Sequence, residues 1–134
     1  FNRSQTGIHK RSCKKHCRLM TAVTLLTGKN GVLIKCQANG HSGFSKKGSD
    51  IVCSAVTVLL RTAMSVLSQN KSITLNADTT SRGNLAFCVE VKKESLETVS
   101  LLKYTADFLR EGITSLTKEY PENVSFTEAV LAGN

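Results

Sequence analysis

The chain has 134 residues, 40% of them apolar and 21% charged, with five cysteines, one proline and no tryptophan; this suits one small globular domain and excludes a collagenous or wholly disordered chain. Its longest nearly apolar run, 51–60, ends at Arg61, well short of the roughly 20 residues a bilayer-spanning helix needs, so no membrane span is expected. The formal charge of +8 is lopsided: six of the 18 basic residues and none of the 10 acidic ones fall in 1–19, leaving only +2 for everything after.

A polyanion could therefore be attracted only through a flexible basic arm, not through a patch built into the fold. Residues 1–19 read as a basic N-terminal extension, disordered or left over from cloning. Met20 stands directly before the first β-rich run, and the extension lacks the apolar centre of a secretory signal. His9, Cys13 and Cys17 could be metal ligands by spacing, but a structural zinc site wants four ligands and no second pair follows, so no metal is expected. An odd number of scattered cysteines is unlike a disulfide framework and points to reduced thiols and a cytoplasmic location.

Residues 21–27 and 32–39 are β-rich runs around Gly28-Lys29-Asn30-Gly31, a turn sequence that predicts a hairpin. The next ten residues, 40–49, hold three glycines and two lysines and read as a mobile loop. A helix is predicted over 50–68, capped by Ser49 or Asp50. Its apolar stripe collects Val52, Ala55, Val56, Leu59, Ala63, Val66 and Leu67, with Ser54 and Arg61 opposite. Residues 72–78 and 84–91 form a second strand pair around Thr80-Ser81-Arg82-Gly83, the latter alternating Leu85, Phe87, Val89 and Val91 against polar or small neighbours. A long second helix is carried by Val99, Leu102, Ala106, Leu109, Ile113, Leu116 and Tyr120 and ends at Pro121. Residues 122–134 lack a pattern and read as a C-terminal tail, which leaves 20–121 as the domain.

The predicted order is ββαββα. The economical packing is a two-layer α+β fold, a four-stranded mainly antiparallel sheet with both helices on one face. Its bare face is a candidate dimer surface.

Chemistry concentrates between Gly40 and Cys53. Cys53 falls in the first turn of the predicted helix, on the flank shared with Leu60 and Met64, where a partly exposed thiol is expected. A free thiol titrates near about 8.5 and must become a thiolate to attack a carbonyl. A helix N-terminus is usually worth about 0.3–1 kcal/mol toward that ionisation and at most about 2, against 1.36 kcal/mol for a single pKa unit, so the helix alone rarely suffices and a neighbouring imidazolium would supply the remainder. His41, at a strand end, is the one histidine outside the extension. Cys and His together make a hydrolase, because the imidazole can return its proton to a leaving amine. The plainer reading is an inert half-buried cysteine beside an unrelated histidine. A third reading is an anion- or RNA-binding, ribosome-associated module, in which Gly43, Lys46, Lys47 and Gly48 lead into a helix N-terminus.

The string GHSGFSKKGSDIVCSAVTVLLRT, residues 40–62, resembles the signature of the ribosomal-processing cysteine proteases, the Prp family. Gly40, His41, Gly43, Gly48, Asp50, Ile51, Val52, Cys53, Ala55 and Val56 stand where that pattern has them; Ser54 and Thr57 depart from it, Thr57 keeping a hydroxyl where the family commonly has Ser. The resemblance implies a cysteine endopeptidase that removes the N-terminal extension of a large-subunit ribosomal protein precursor, number twenty-seven. It implies Cys53 as nucleophile and His41 as general base, with Asp50 and Thr57 supporting and Gly40, Gly43, Phe44 and Gly48 in a loop that orders around the substrate peptide. It also implies a homodimer and no cofactor. Amides at the helix N-terminus are expected to hold the oxyanion.

Overall fold

The computed structural model of the chain describes residues 20–40, 47–79 and 83–131, with the backbone alone described for 47–50. The extension 1–19, with His9, Cys13 and Cys17, lies outside the described residues. The elements run β1 (Thr21–Thr27), β2 (Leu33–Asn39), α1 (Lys47–Ser68), β3 (Ile73–Asp78), β4 (Asn84–Val91), α2 (Leu96–Glu119) and β5 (Val124–Val130). The first hairpin turns where its glycines predict. Gly28 N–H donates to the Val32 carbonyl at 2.8 Å, Gly31 N–H to that of Gly28 at 3.0 Å, and Gly31 takes φ +86°, a conformation that favours glycine.

The sheet is five-stranded in the order β3-β4-β2-β1-β5. The β1/β2, β2/β4 and β3/β4 pairs are antiparallel, while β5 runs parallel to β1 from Thr21↔Val124 to Thr27↔Val130. The expectation of four mainly antiparallel strands is therefore corrected to a mixed sheet of five, and 124–130 is a strand where a tail was expected. An edge strand needs little apolar alternation: Val124 of β5 is buried and Phe126 packs partly against the core, while backbone pairing to β1 holds the exposed remainder. The two helices serve as crossovers, since β2 and β3 run in the same direction with β4 slotted between them, as β4 and β5 do with β2 and β1 between.

Both helices cover the face that carries Val23, Leu25, Cys36, Ala38, Leu85 and Phe87. The second helix is capped by Ser95, whose Oγ accepts from Thr98 N–H at 3.1 Å, and ends at Tyr120 just before Pro121. Its Leu102, Ala106, Leu109 and Ile113 enter the core.

The buried stripe of α1 is Val52, Val56, Leu60, Ala63 and Leu67, rotated from the predicted one. Leu60 is fully buried while Val66 is 48% exposed. The wheel left the stripe's centre open because the apolar arc of Ile51–Ser68 is wide, with Ser54, Thr57, Arg61, Thr62, Ser65 and Ser68 on the remaining side and Arg61 the one charge. By length and composition this helix could cross a membrane, yet one stripe of it is packed on the sheet. The helices meet through Leu59 and Gly112, where a Cβ on Gly112 would come within 3.0 Å of Leu59 Cδ1. Val58, Val66, Tyr104 and Phe108 remain exposed on the outer side of the helical layer. The bare sheet face is polar instead, with Thr24, Lys35, Gln37, Asn76 and Asn84 on it and Gln37 Nε2 donating to Asn84 Oδ1 at 3.2 Å.

Candidate active site

One end of the sheet, where β2 and β3 finish and β1 and β4 begin, faces the first half of α1 across a cavity of about 290 Å³. Thr21, Gly40, Cys53, Thr57, Arg61 and Gly83 are among the residues lining it, and none of the described lining residues is acidic.

Cys53 is half-buried, the partly exposed thiol expected of it. The helix that carries it begins at Lys47, three residues earlier than predicted. Ser49 and Asp50 are thus inside the helix and do not cap it, and Gly48 belongs to its first turn. Glycine and serine are tolerated there because the first-turn amides have no intrahelical acceptor to lose. Cys53 consequently sits in the second turn. Its own amide falls within the i→i−4 ladder, and the unpaired amides of 47–50 lie about 4–9 Å nearer the N-terminus along the axis. Helix-terminal amides as oxyanion donors directly at Cys53 are therefore not what this geometry offers.

Gly40 closes β2 against β4. Its N–H donates to the Gly83 carbonyl at 2.7 Å. Gly83 has φ +77°, and a Cβ added to it would run into the Gly40 carbonyl oxygen. On the other side, a Cβ on Gly40 would lie 2.9 Å from Thr21 Oγ1. The chain thus leaves β2 toward His41 from a backbone held by Gly83 and crowded by Thr21. His41, Gly43 and Phe44 lie outside the described residues, as does the side chain of Asp50.

Thr57 is half-buried one turn beyond Cys53. Hydroxyls at Thr105 and Thr117 of α2 bond back to the carbonyls of Leu101 and Thr114, each at 2.7 Å. The Thr57 hydroxyl makes no such bond among the described residues, so it is available to the cavity.

The structure thus brings together Cys53, Thr57 and Gly40, and adds Arg61, Gly83 and Thr21, which sequence reasoning missed. For Arg61 the signal was present: Cys53, Thr57 and Arg61 recur at intervals of four. It was placed opposite the apolar stripe, and it is indeed exposed, but the tertiary fold sets that exposed flank at the rim of the cavity. Gly83 was legible only as a turn residue, since its contact with Gly40 joins segments far apart in sequence.

The other described thiols are differently placed. Cys36 is fully buried in the core, and burial pushes its thiol up to about 12, which leaves it protonated at neutral pH. Cys88 sits on the polar sheet face opposite Lys35. Among the described residues no group of three or more His, Cys, Asp or Glu side chains could hold a metal ion.

Among curated proteins, none matches the sequence significantly. Solved structures do share its fold. SMU.848 from Streptococcus mutans superposes with a TM-score of 0.67 at 23% identity, over 84% of this chain and 96% of that one. The essential ribosomal processing protease Prp from S. aureus, in complex with a substrate peptide, gives 0.66 at 14% identity over 81% and 99%. The same S. aureus protease with a covalently linked product peptide gives 0.59 at 20% identity, with the same coverage. The family model described as cysteine protease Prp matches residues 20–125, spanning every element through α2 and reaching the start of β5, and on that match the chain belongs to the Prp family of cysteine proteases.

Proposed function

We propose that this cysteine protease is a ribosomal-processing endopeptidase. In this reading it removes the N-terminal extension of the precursor of large-subunit ribosomal protein number twenty-seven, with Cys53 as nucleophile and His41 as general base. The observation that carries the proposal is a half-exposed Cys53 thiol on the wall of a cavity that also includes Gly40, the residue directly before His41. The S. aureus relative, solved with a substrate peptide and with a covalently linked product peptide, supports a peptide as the occupant.

In the proposed reaction His41 takes the thiol proton and Cys53 Sγ adds to the scissile carbonyl carbon. The C–N bond then breaks as the imidazolium returns that proton to the departing amine, leaving a thioester on Cys53. Water adds to the thioester, giving one proton to His41, and collapse releases the new carboxyl group as the proton returns to sulfur. One peptide bond and one water become one acid and one amine. Thr57 supplies a hydroxyl to the bound peptide, Asp50 supports the site as in the family pattern, and Gly40, Gly43, Phe44 and Gly48 flank the peptide.

The enzyme is further proposed to act in the cytoplasm as a homodimer. The polar sheet face is a poor surface for that; the outer face of the helices, with Val58, Val66, Tyr104 and Phe108 exposed, suits it better.

The test is cleavage of the purified precursor followed by intact-mass spectrometry. Wild-type protein should shorten it at one bond near its N-terminus, and Cys53→Ala and His41→Ala should each abolish the cut while circular dichroism stays unchanged. Undiminished cleavage by either variant would overturn the assignment of that residue.

A further inference from the structure

Arg61, exposed at the cavity rim, is the one charged side chain on the 18 residues Ile51–Ser68 and, among the described residues, the one charged residue lining the cavity that holds Cys53 and Thr57. Among the described residues it has neither an ion pair nor a hydrogen bond; the ion pairs between described residues involve Arg110 instead. An arginine that neutralised a neighbouring acid would need no further explanation, but here the other described residues of the cavity wall are uncharged. A cation left unpaired beside a nucleophile is a ready partner for a carboxylate, which a guanidinium can grip through two parallel N–H donors.

We infer that Arg61 is a specificity-determining residue that binds an acidic side chain of the peptide substrate. This rests on the protease reading and adds a substrate preference to it. The position of the acid follows from helix geometry. Arg61 lies eight residues beyond Cys53, about 12 Å along the axis, and its side chain leans back toward the N-terminus by up to about half that distance. An extended peptide advances about 3.3 Å per residue. The acidic residue is thus two to four residues from the scissile bond.

The test uses fluorogenic peptides built on the precursor's cleavage region, each carrying Glu or Gln at one of four positions on either side of the scissile bond. At low salt wild-type protein should show about a three- to tenfold higher kcat/KM for the Glu peptide at one position two to four residues out, carried by KM and shrinking as salt rises. Arg61→Gln should equalise the pair, Arg61→Glu should invert it, and Arg61→Lys should keep part of it. The same peptides titrated by fluorescence anisotropy into Cys53→Ala protein should show the same preference without turnover. Failure of the protease reading and failure of this inference are therefore separate results. A wild-type enzyme indifferent to Glu against Gln at every position would overturn the inference even if cleavage is robust. A preference that survives Arg61→Gln, or a Cys53→Ala protein that binds both peptides equally, would do the same.

Discussion

Replacing Gly83 by alanine tests how the strand end before His41 is held. At φ +77° a non-glycine residue costs about 1–2 kcal/mol. The new Cβ would also meet the Gly40 carbonyl oxygen, which is main chain and cannot swing aside as a side chain does. Relief requires β2 and the β3–β4 turn to part, weakening the 2.7 Å bond from Gly40 N–H to the Gly83 carbonyl, a further ~0.5–1.5 kcal/mol. The sum is about 1.5–3.5 kcal/mol. With a urea slope of about 2 kcal/mol/M, mid-range for small domains, the unfolding midpoint should fall by roughly 1–2 M. Gly31 provides the internal control, because it too has positive φ, +86°, but has nothing within 4 Å of an added Cβ. Gly31→Ala should cost only the conformational part, about 1–2 kcal/mol, and leave peptide cleavage intact. Gly83→Ala should lower kcat/KM even under conditions where it is fully folded. Equal midpoints for the two variants, or unimpaired cleavage by folded Gly83→Ala, would refute this account of how β2 presents the residue after Gly40.

Thr57→Val should change stability by less than about 0.5 kcal/mol, since the hydroxyl has no partner to lose among the described residues, yet lower kcat/KM by about tenfold, with Thr57→Ser retaining activity; equal steady-state kinetics for all three would remove Thr57 from substrate contact. Cys36 titrates above its unfolded value, so the unfolded chain releases this proton first and stability should fall as pH rises from about 9 toward 12, by up to about 1.4 kcal/mol per pH unit. Urea titrations at pH 8, 9 and 10 check that slope, which Cys36→Ala should flatten. Arg110 grips the edge strand by donating from Nε and Nη2 to Glu128, at 2.9 and 2.5 Å to Oε2, while its Nη1 reaches Asp107 at 2.6 Å. Because these groups are about a third or more exposed, Glu128→Gln should cost only about 0.5–1 kcal/mol, less at 1 M salt, as read from thermal midpoints.

Much of this protein was legible from local chemistry. The Gly28–Gly31 turn placed the first hairpin, the alternation of Leu85, Phe87 and Val89 placed β4, and Ser95 through Pro121 bounded α2, because turn glycines, period-two burial and caps act within a few residues. The density of matched residues from Gly40 to Val56 likewise pointed to the protease family before any fold was known. What depended on tertiary structure was whatever local pattern leaves degenerate. An edge strand such as β5 buries one residue and takes its bonds from β1, so the short alternation of Val124 and Phe126, broken at Glu128, was too brief to mark a strand. A helix with a wide apolar arc offers several neighbouring stripes, and only packing on the sheet and against Gly112 selected the one that brings Arg61 to the cavity with Cys53. The meeting of Gly40, Gly83 and Thr21 joins three separate segments, and backbone contact of that kind exists only once the strands have paired.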